Sequence, residues 1–310
     1  MPSIIARVLL VGVCCWACLD TARAATVAIV LSERSTGYLD VAKVIALELE
    51  RTGVAGTEVT QVTGVEWSGL DTAMAPKLVI TLGAEALKQV LNRDVHAPVL
   101  AALVPRSGYE RILRESGRRL PPNVTAVFLD QPLGRRLDLV RLILPDAKRV
   151  GVLWGPESSA SQASFTQLLQ NRGLVMVSSM VANPAGLFGG LKAVLDDADV
   201  LFAIADPQVY SGSTIANILL ATYRARIPVM AFSPAYVKAG ALIAIYATPV
   251  QVGVQAAGLA RLALQGNALP APQYPQDFEI SVNDHVARSL GLNLDARVLT
   301  DKLLGGIRRP

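Results

Sequence analysis

The side chains able to do chemistry in this 310-residue chain are few and scattered. Its two histidines are His96, before Ala97-Pro98, and His285, in Asn283-Asp-His-Val. Neither has a second ligand at metal-binding spacing. All three cysteines, Cys14, Cys15 and Cys18, fall in the first apolar run, so disulfides, thiolate metal sites and a cysteine nucleophile are not expected beyond it. There is no Walker loop, no G-x-G-x-x-G after a strand and no G-x-S-x-G elbow. Asp196-Asp197 falls near a helix end and reads as solvated. What recurs instead is Ser, Asp, Gly and Pro directly after apolar runs. The segments are Ser32-Glu33-Arg34-Ser35, Gly83-Ala84-Glu85, Pro105-Arg106-Ser107, Trp154-Gly-Pro-Glu-Ser158, Ala205-Asp206-Pro207 and Ser233-Pro234. Such residues expose backbone N–H groups and hydroxyls, which suit capture of a small molecule. Taken singly, each is equally an ordinary turn or N-cap residue. Neither an enzyme nor a bound cofactor or metal is expected.

The elements that must position these segments alternate between short apolar runs and helix-like stretches, the α/β pattern of a mainly parallel sheet. Val27–Leu31, Leu78–Leu82 and Pro98–Val104 read as strands, with helices over Leu39–Glu50 and Ala84–Leu91. The same order returns with strands at Val150–Leu153, Val200–Ile204 and Pro228–Phe232, and helices over Ser159–Gln170 and about Ser213–Arg224. Matching strands are offset by 123 (27 to 150), 122 (78 to 200) and 130 (98 to 228) residues. Near-constant offsets imply two related lobes. One long doubly wound sheet is the alternative that alternation alone leaves open. In either case ligands bind at the carboxyl ends of the strands, where the polar segments fall.

Composition bounds the class further. The chain is 52% hydrophobic, 17% charged and 5% aromatic, with a net charge of +4. That excludes a disordered chain, and the small, evenly spread charge excess gives no footing for nucleic acid. Arg7, the apolar run Val8–Leu19 and Ala22-Arg23-Ala24 have the layout of a secretory signal peptide over residues 1–24, cleaved near Ala24. A soluble periplasmic protein is expected, with a lipid-modified leader as the minority alternative.

Many weak motifs in order carry a resemblance. They are Asn123-Val-Thr-Ala-Val, Leu137–Trp154 with its Leu-Pro-Asp-Ala-Lys-Arg-Val-Gly-Val-Leu core, Ala205-Asp206, Ile227-Pro-Val, Val237-Lys-Ala-Gly-Ala-Leu, the amphipathic stretch Gly253–Gly266, Phe278–Asn283 and Ala287–Leu292. This resembles the ABC-transporter substrate-binding protein family that includes tryptophan-binding members, with the type I periplasmic-binding-protein fold. The resemblance implies two Rossmann-like lobes with parallel sheets, residues 25–123 plus 249–276 and residues 124–248 plus 277–310. It implies a three-segment hinge near Val124–Gln131, Ala241–Thr248 and Phe278–Asn283. A helix over Pro249–Gln265 would return to the first lobe, and the C-terminal helix to the second.

The function so implied is a monomeric solute-binding protein that closes on a small molecule and delivers it to an ABC permease. The same fold can present its closed state to a receptor or sensor kinase instead, and an exported enzyme is a distant third reading. Ser32, Ser35, Gly83, Ala84, Trp154, Glu157, Ser158, Asp206, Ser233 and Tyr246 are expected to face one cleft. Two of them carry explicit alternatives. Trp154 either stacks on a ligand or fills the core beside the hinge. Asp206, biased out of helical geometry by Pro207, either receives a ligand donor or caps local backbone.

Overall fold

The computed structural model describes residues 25–52, 57–69, 76–93, 95–117 and 123–307; the expected signal peptide, residues 1–24, lies outside them. From its start the described chain runs β1 (Ala25–Leu31), α1 (Thr36–Arg51), β2 (Thr57–Thr63), α2 (Gly64–Gly69), β3 (Leu78–Leu82), α3 (Ala84–Leu91), β4 (Val99–Val104), α4 (Arg106–Glu115) and β5 (Val124–Phe128). These strands form a parallel sheet in the order β2-β1-β3-β4-β5. β3 is buried at all five positions, as a strand covered on both faces must be.

The second lobe follows with α5 (Leu133–Ile143), β6 (Arg149–Trp154), α6 (Gln162–Gln170), β7 (Val175–Met180), α7 (Leu187–Leu195), β8 (Val200–Phe202), α8 (Ile215–Ala225), β9 (Val229–Ala231), α9 (Pro234–Ala239) and β10 (Ile243–Tyr246). After α10 (Pro249–Leu264), the chain re-enters it through β11 (Glu279–Val282), α11 (Asp284–Ser289) and α12 (Ala296–Ile307). Its sheet order is β11-β10-β9-β8-β6-β7, with only β11 antiparallel. Two parallel sheets therefore sit in two lobes.

The chain passes between the sheets three times, after β5, after β10 and before β11. The crossings are shorter than the sequence implied. Val124–Phe128 is the edge strand of the first sheet, because Thr125 to Phe128 are buried and pair with β4. Likewise half of Ala241–Thr248 is β10 and most of Phe278–Asn283 is β11, leaving only a few residues to cross. α10 begins at a capping box in which Thr248 Oγ1 accepts from the Gln251 N–H and Gln251 Oε1 accepts from the Thr248 N–H. It belongs to the first lobe, where Val252, Ala256, Leu259 and Ala260 share a core with Val41, Ile45 and Leu49 of α1. α12 returns to the second lobe, with Leu299 and Leu303 in the core that also holds Leu137 and Val140 of α5.

The returning segment after α10 also covers the open edge of β5. Gln273 donates its N–H to Ala126 O and accepts from the Phe128 N–H, both at 2.9 Å. Further on, Gln131 is buried at the hinge and accepts from Arg135 at 2.6 Å, while Arg135 lies over the Phe278 ring at 4.8 Å. No helix among the described residues is long and apolar enough to cross a membrane.

Candidate functional site

At the carboxyl end of the first sheet, β1 and β3 deliver Ser32 and Gly83 to one point. Gly83 has φ +93°, and a Cβ there would stand 2.4 Å from Ser32 Oγ and 2.7 Å from the Tyr38 hydroxyl. Only glycine fits that junction. Having no side chain with which to cap α3, Gly83 leaves the role to Ser32, whose Oγ accepts the Ala86 N–H at 3.0 Å. Burial, then the Glu33 charge, raises the Tyr38 pKa, while the hydrogen bond with Ser32 opposes them. Ala84 opens α3, half-buried, and Ser35 stands as N-cap of α1 without a side-chain cap bond.

In the second lobe the turn Gly155–Ser158 is built around Asp206. One carboxylate oxygen, Oδ2, accepts from the Glu157 N–H (3.0 Å), the Ser158 N–H (2.9 Å) and the Ser158 hydroxyl (2.9 Å). The other accepts the Gln208 N–H at 3.0 Å. Ser158 Oγ in turn accepts the Gly155 N–H at 2.9 Å. A Cβ on Gly155 would lie 2.3 Å from the carboxylate, so the loop closes only with glycine there. Of the two accounts of Asp206, the geometry fits the cap: the side chain is 2% exposed and its acceptors serve the protein. Trp154 likewise takes the core account. It is 1% exposed, packs edge-on against Phe165 with centroids 5.9 Å apart, and leaves its indole N–H without a partner.

Residues that sequence reasoning passed over gather after β8 and β9. Tyr210 and Phe232 pack edge-on at 5.9 Å, Phe232 and Tyr236 at 5.0 Å, and the Tyr236 hydroxyl donates to Tyr210 O at 3.2 Å. Ser233, the N-cap of α9, lies within this group and makes no side-chain cap bond. Tyr246, at the end of β10, donates to Glu279 at 3.4 Å. Burial, then Glu279, raises its pKa. The signal available in the sequence was density: aromatics make up 5% of the chain, yet three fall in the two segments that follow β8 and β9.

The two lobes touch between α4 and the turn after β6. Arg111 on α4 pairs with Glu157 beyond β6 at 3.2 Å. Both follow the carboxyl ends of their strands, so the pair joins the two lobes on that side. Nearby, the Arg106 N–H donates to Asp130 at 2.6 Å. Burial raises the Asp130 pKa against that bond and against the Arg136 and Arg106 charges. A separate groove of about 280 Å³ lies at the amino end of β9, lined by Tyr223, Arg226, Pro228, Val286 and Leu290 among others. None of the ten expected site residues reaches it. Among the described residues, no group of three His, Cys, Asp or Glu side chains is placed to hold a metal ion.

With this geometry in place, the comparisons are direct. The model of the ABC transporter substrate binding protein family matches residues 72–302. The chain belongs to that family. It is a family of binding proteins, and its solved relatives share the type I periplasmic-binding-protein fold. An ABC domain from Streptococcus pneumonia in complex with L-Trp is 16% identical, covering 89% of this chain and 98% of that one at a TM-score of 0.65. The ligand-free, open form of a substrate binding protein with adhesive properties from Clostridium difficile is 16% identical over 88% of this chain and 97% of that one, at 0.69. An ABC transporter solute binding protein from Agrobacterium vitis bound with alpha-D-tagatopyranose is 15% identical over 87% and 99%, at 0.53. No curated protein matches the chain.

Proposed function

We propose that this protein captures a small, ring-bearing molecule between its lobes outside the cytoplasm and delivers it to an ABC permease. The observation that carries the reading is the Arg111–Glu157 pair, because it joins the two lobes on the side of the strands' carboxyl ends. Between those ends stand Ser32, Ser35, Gly83, Ala84 and Tyr38 from one lobe, and Glu157, Ser233, Tyr246 and the Tyr210–Phe232–Tyr236 group from the other. Trp154, Ser158 and Asp206 support this wall from behind. Aromatic faces suit a planar or sugar ring, and free hydroxyls suit its polar substituents. The relatives solved with L-Trp and with a sugar are consistent with that class.

The test is a thermal-shift screen of the purified protein against a broad metabolite library. A ligand at a hundred times its Kd stabilises the native state by about 2.7 kcal/mol, a shift of several degrees. A library without a single hit, together with an experimental apo structure lacking an interlobe cleft, would remove the proposal. Stimulation of the reconstituted permease's ATPase by the loaded protein separates delivery from sensing.

A further inference from the structure

An open sheet has two edges, and each edge strand offers a row of backbone donors and acceptors to any strand that reaches it. Three of the four edges here are guarded. β2 carries Glu58, β11 carries Glu279, and β5 is covered by the bonds from Gln273. β7 has no such device: Val-Met-Val-Ser-Ser-Met holds no charge and no proline, and it pairs with β6 in unbroken register. Val175 and Val181 donate their N–H groups inward, to Lys148 O at 2.8 Å and Trp154 O at 2.7 Å. The even-numbered residues therefore turn outward, and no described strand takes the N–H and C=O groups of Met176, Ser178 and Met180. Val175 and Met180 are 60% and 51% exposed.

Charge is missing from the flanks of this edge as well. From Ser158 to Leu191, through α6, β7 and the start of α7, the one charged side chain is Arg172, where the chain's 17% average gives about six. Arg172 is itself paired with Asp138 at 2.9 Å. Depletion of charge is the compositional mark of a surface that another protein covers. We propose that β7 pairs edge to edge with β7 of a second copy, antiparallel about a two-fold axis at Ser178. In that register Met176 faces Met180 of the second copy, and Ser178 faces its own counterpart. Every outward N–H and C=O of the three residues then has a partner in the ladder. Ser178 is exposed and small, so nothing on the axis obstructs the approach. The lack of charge is what lets this strand meet itself, since a charged residue on the axis would face its like. One short ladder makes a small interface, so the dimer is weak, with a Kd of order micromolar or above. Antiparallel pairing also turns the carboxyl ends of the two copies in opposite directions, which keeps the loops there out of the contact. The dimer departs from the monomer that the family resemblance implied, and it stands independently of the capture reading.

Sedimentation equilibrium of the purified protein over about 1–300 µM should show a reversible monomer–dimer equilibrium. Ser178→Lys places two ammonium groups opposite each other on the axis and should raise the Kd several-fold at low salt, less so at about 0.5 M salt. Ser178→Pro deletes an outward donor that serves no bond to β6, and each dimer loses two hydrogen bonds; the Kd should rise roughly ten- to a hundredfold. Ser178→Thr, uncharged and at home in a strand, should leave it within about twofold. Ser178→Cys reads the register directly. Hydrogen-bonded partners across an antiparallel pair stand about 5.5 Å apart at Cα, inside disulfide reach, so oxidation should give a covalent dimer that wild type and Glu279→Cys do not. A protein that stays monomeric to about 300 µM overturns the proposal. So does a dimer that Ser178→Lys and Ser178→Pro leave unchanged, since its interface then lies elsewhere. If Ser178→Pro does not fold, Ser178→Lys and Ser178→Cys decide the matter.

Discussion

Replacing Asp206 with alanine separates a cap from a ligand contact. The change deprives the Glu157 N–H, the Ser158 N–H, the Ser158 hydroxyl and the Gln208 N–H of their acceptor, all at 2.9–3.0 Å. A single hydrogen bond to a charged group is worth about 1.5–3 kcal/mol, but four donors sharing one carboxylate do not add. Water entering the vacated space restores part of the loss, and the buried charge no longer has to be desolvated. Disrupting such a buried network then costs about 3–5 kcal/mol, which lowers the Tm by roughly 6–20 °C for lobes of this size. Calorimetric unfolding of wild type and variant measures it, with titration of any identified ligand alongside. Affinity should fall only a few-fold, through the loosened Glu157. Gly155→Ala is the internal control, since its Cβ would collide with the same carboxylate without removing it. An unchanged Tm with affinity lowered more than tenfold in Asp206→Ala would refute this assignment and restore the ligand role.

Three further outcomes are expected. Arg111 and Glu157 are 34% and 29% exposed, so their pair is worth about 0.2–1 kcal/mol, and Arg111→Ala should lower the closed population of the ligand-free protein about 1.4- to 5-fold, read by interlobe energy transfer at low and high salt. Gly83→Ala should destabilise by about 1–3 kcal/mol, since the side chain must enter the Ser32–Tyr38 contact at positive φ; unchanged urea unfolding would refute it. Asp130 has its pKa raised by burial, so its ionised form costs native stability at neutral pH, and that cost vanishes once the pH is below the unfolded-state value of about 3.9. Asp130→Asn, which still accepts the Arg106 N–H, should therefore be more stable than wild type at pH 7, with the advantage disappearing as pH falls toward 4.

Buried strands were legible where both faces are covered, as in Leu78–Leu82, because every residue must then be apolar. The edges were not. β2 reads Thr-Glu-Val-Thr-Gln-Val-Thr and β7 reads Val-Met-Val-Ser-Ser-Met; with one side in water, neither stands out from a loop. The site divided in the same way. Strand ends marked where polar segments fall, but only the fold shows which of their polar groups turn to other protein atoms, as those of Ser32, Ser158 and Asp206 do. Arg136 did leave a trace: it shares a helical face with Leu133, Leu137, Val140 and Ile143, so a charge stood on the buried stripe of α5. Apolar periodicity reads through one such residue without flagging it.

The covering of β5 by Gln273 and of α1 by α10 has a consequence for how the chain matures. All five strands of the first sheet are made by residue 128, yet one flank of their core stays bare until α10 is complete at residue 264. At synthesis rates of roughly 5–20 residues per second, that interval lasts about 7–30 s. During it the core around Val41, Ile45 and Leu49 rests on the strands alone and lacks Val252, Ala256, Leu259 and Ala260, while the second sheet has five of its six strands by β10 and waits for β11 and α12. A ribosome-bound chain halted before residue 249 should therefore expose apolar surface from the first lobe, and one halted before residue 296 should expose it from the second, whose core still lacks Leu299 and Leu303.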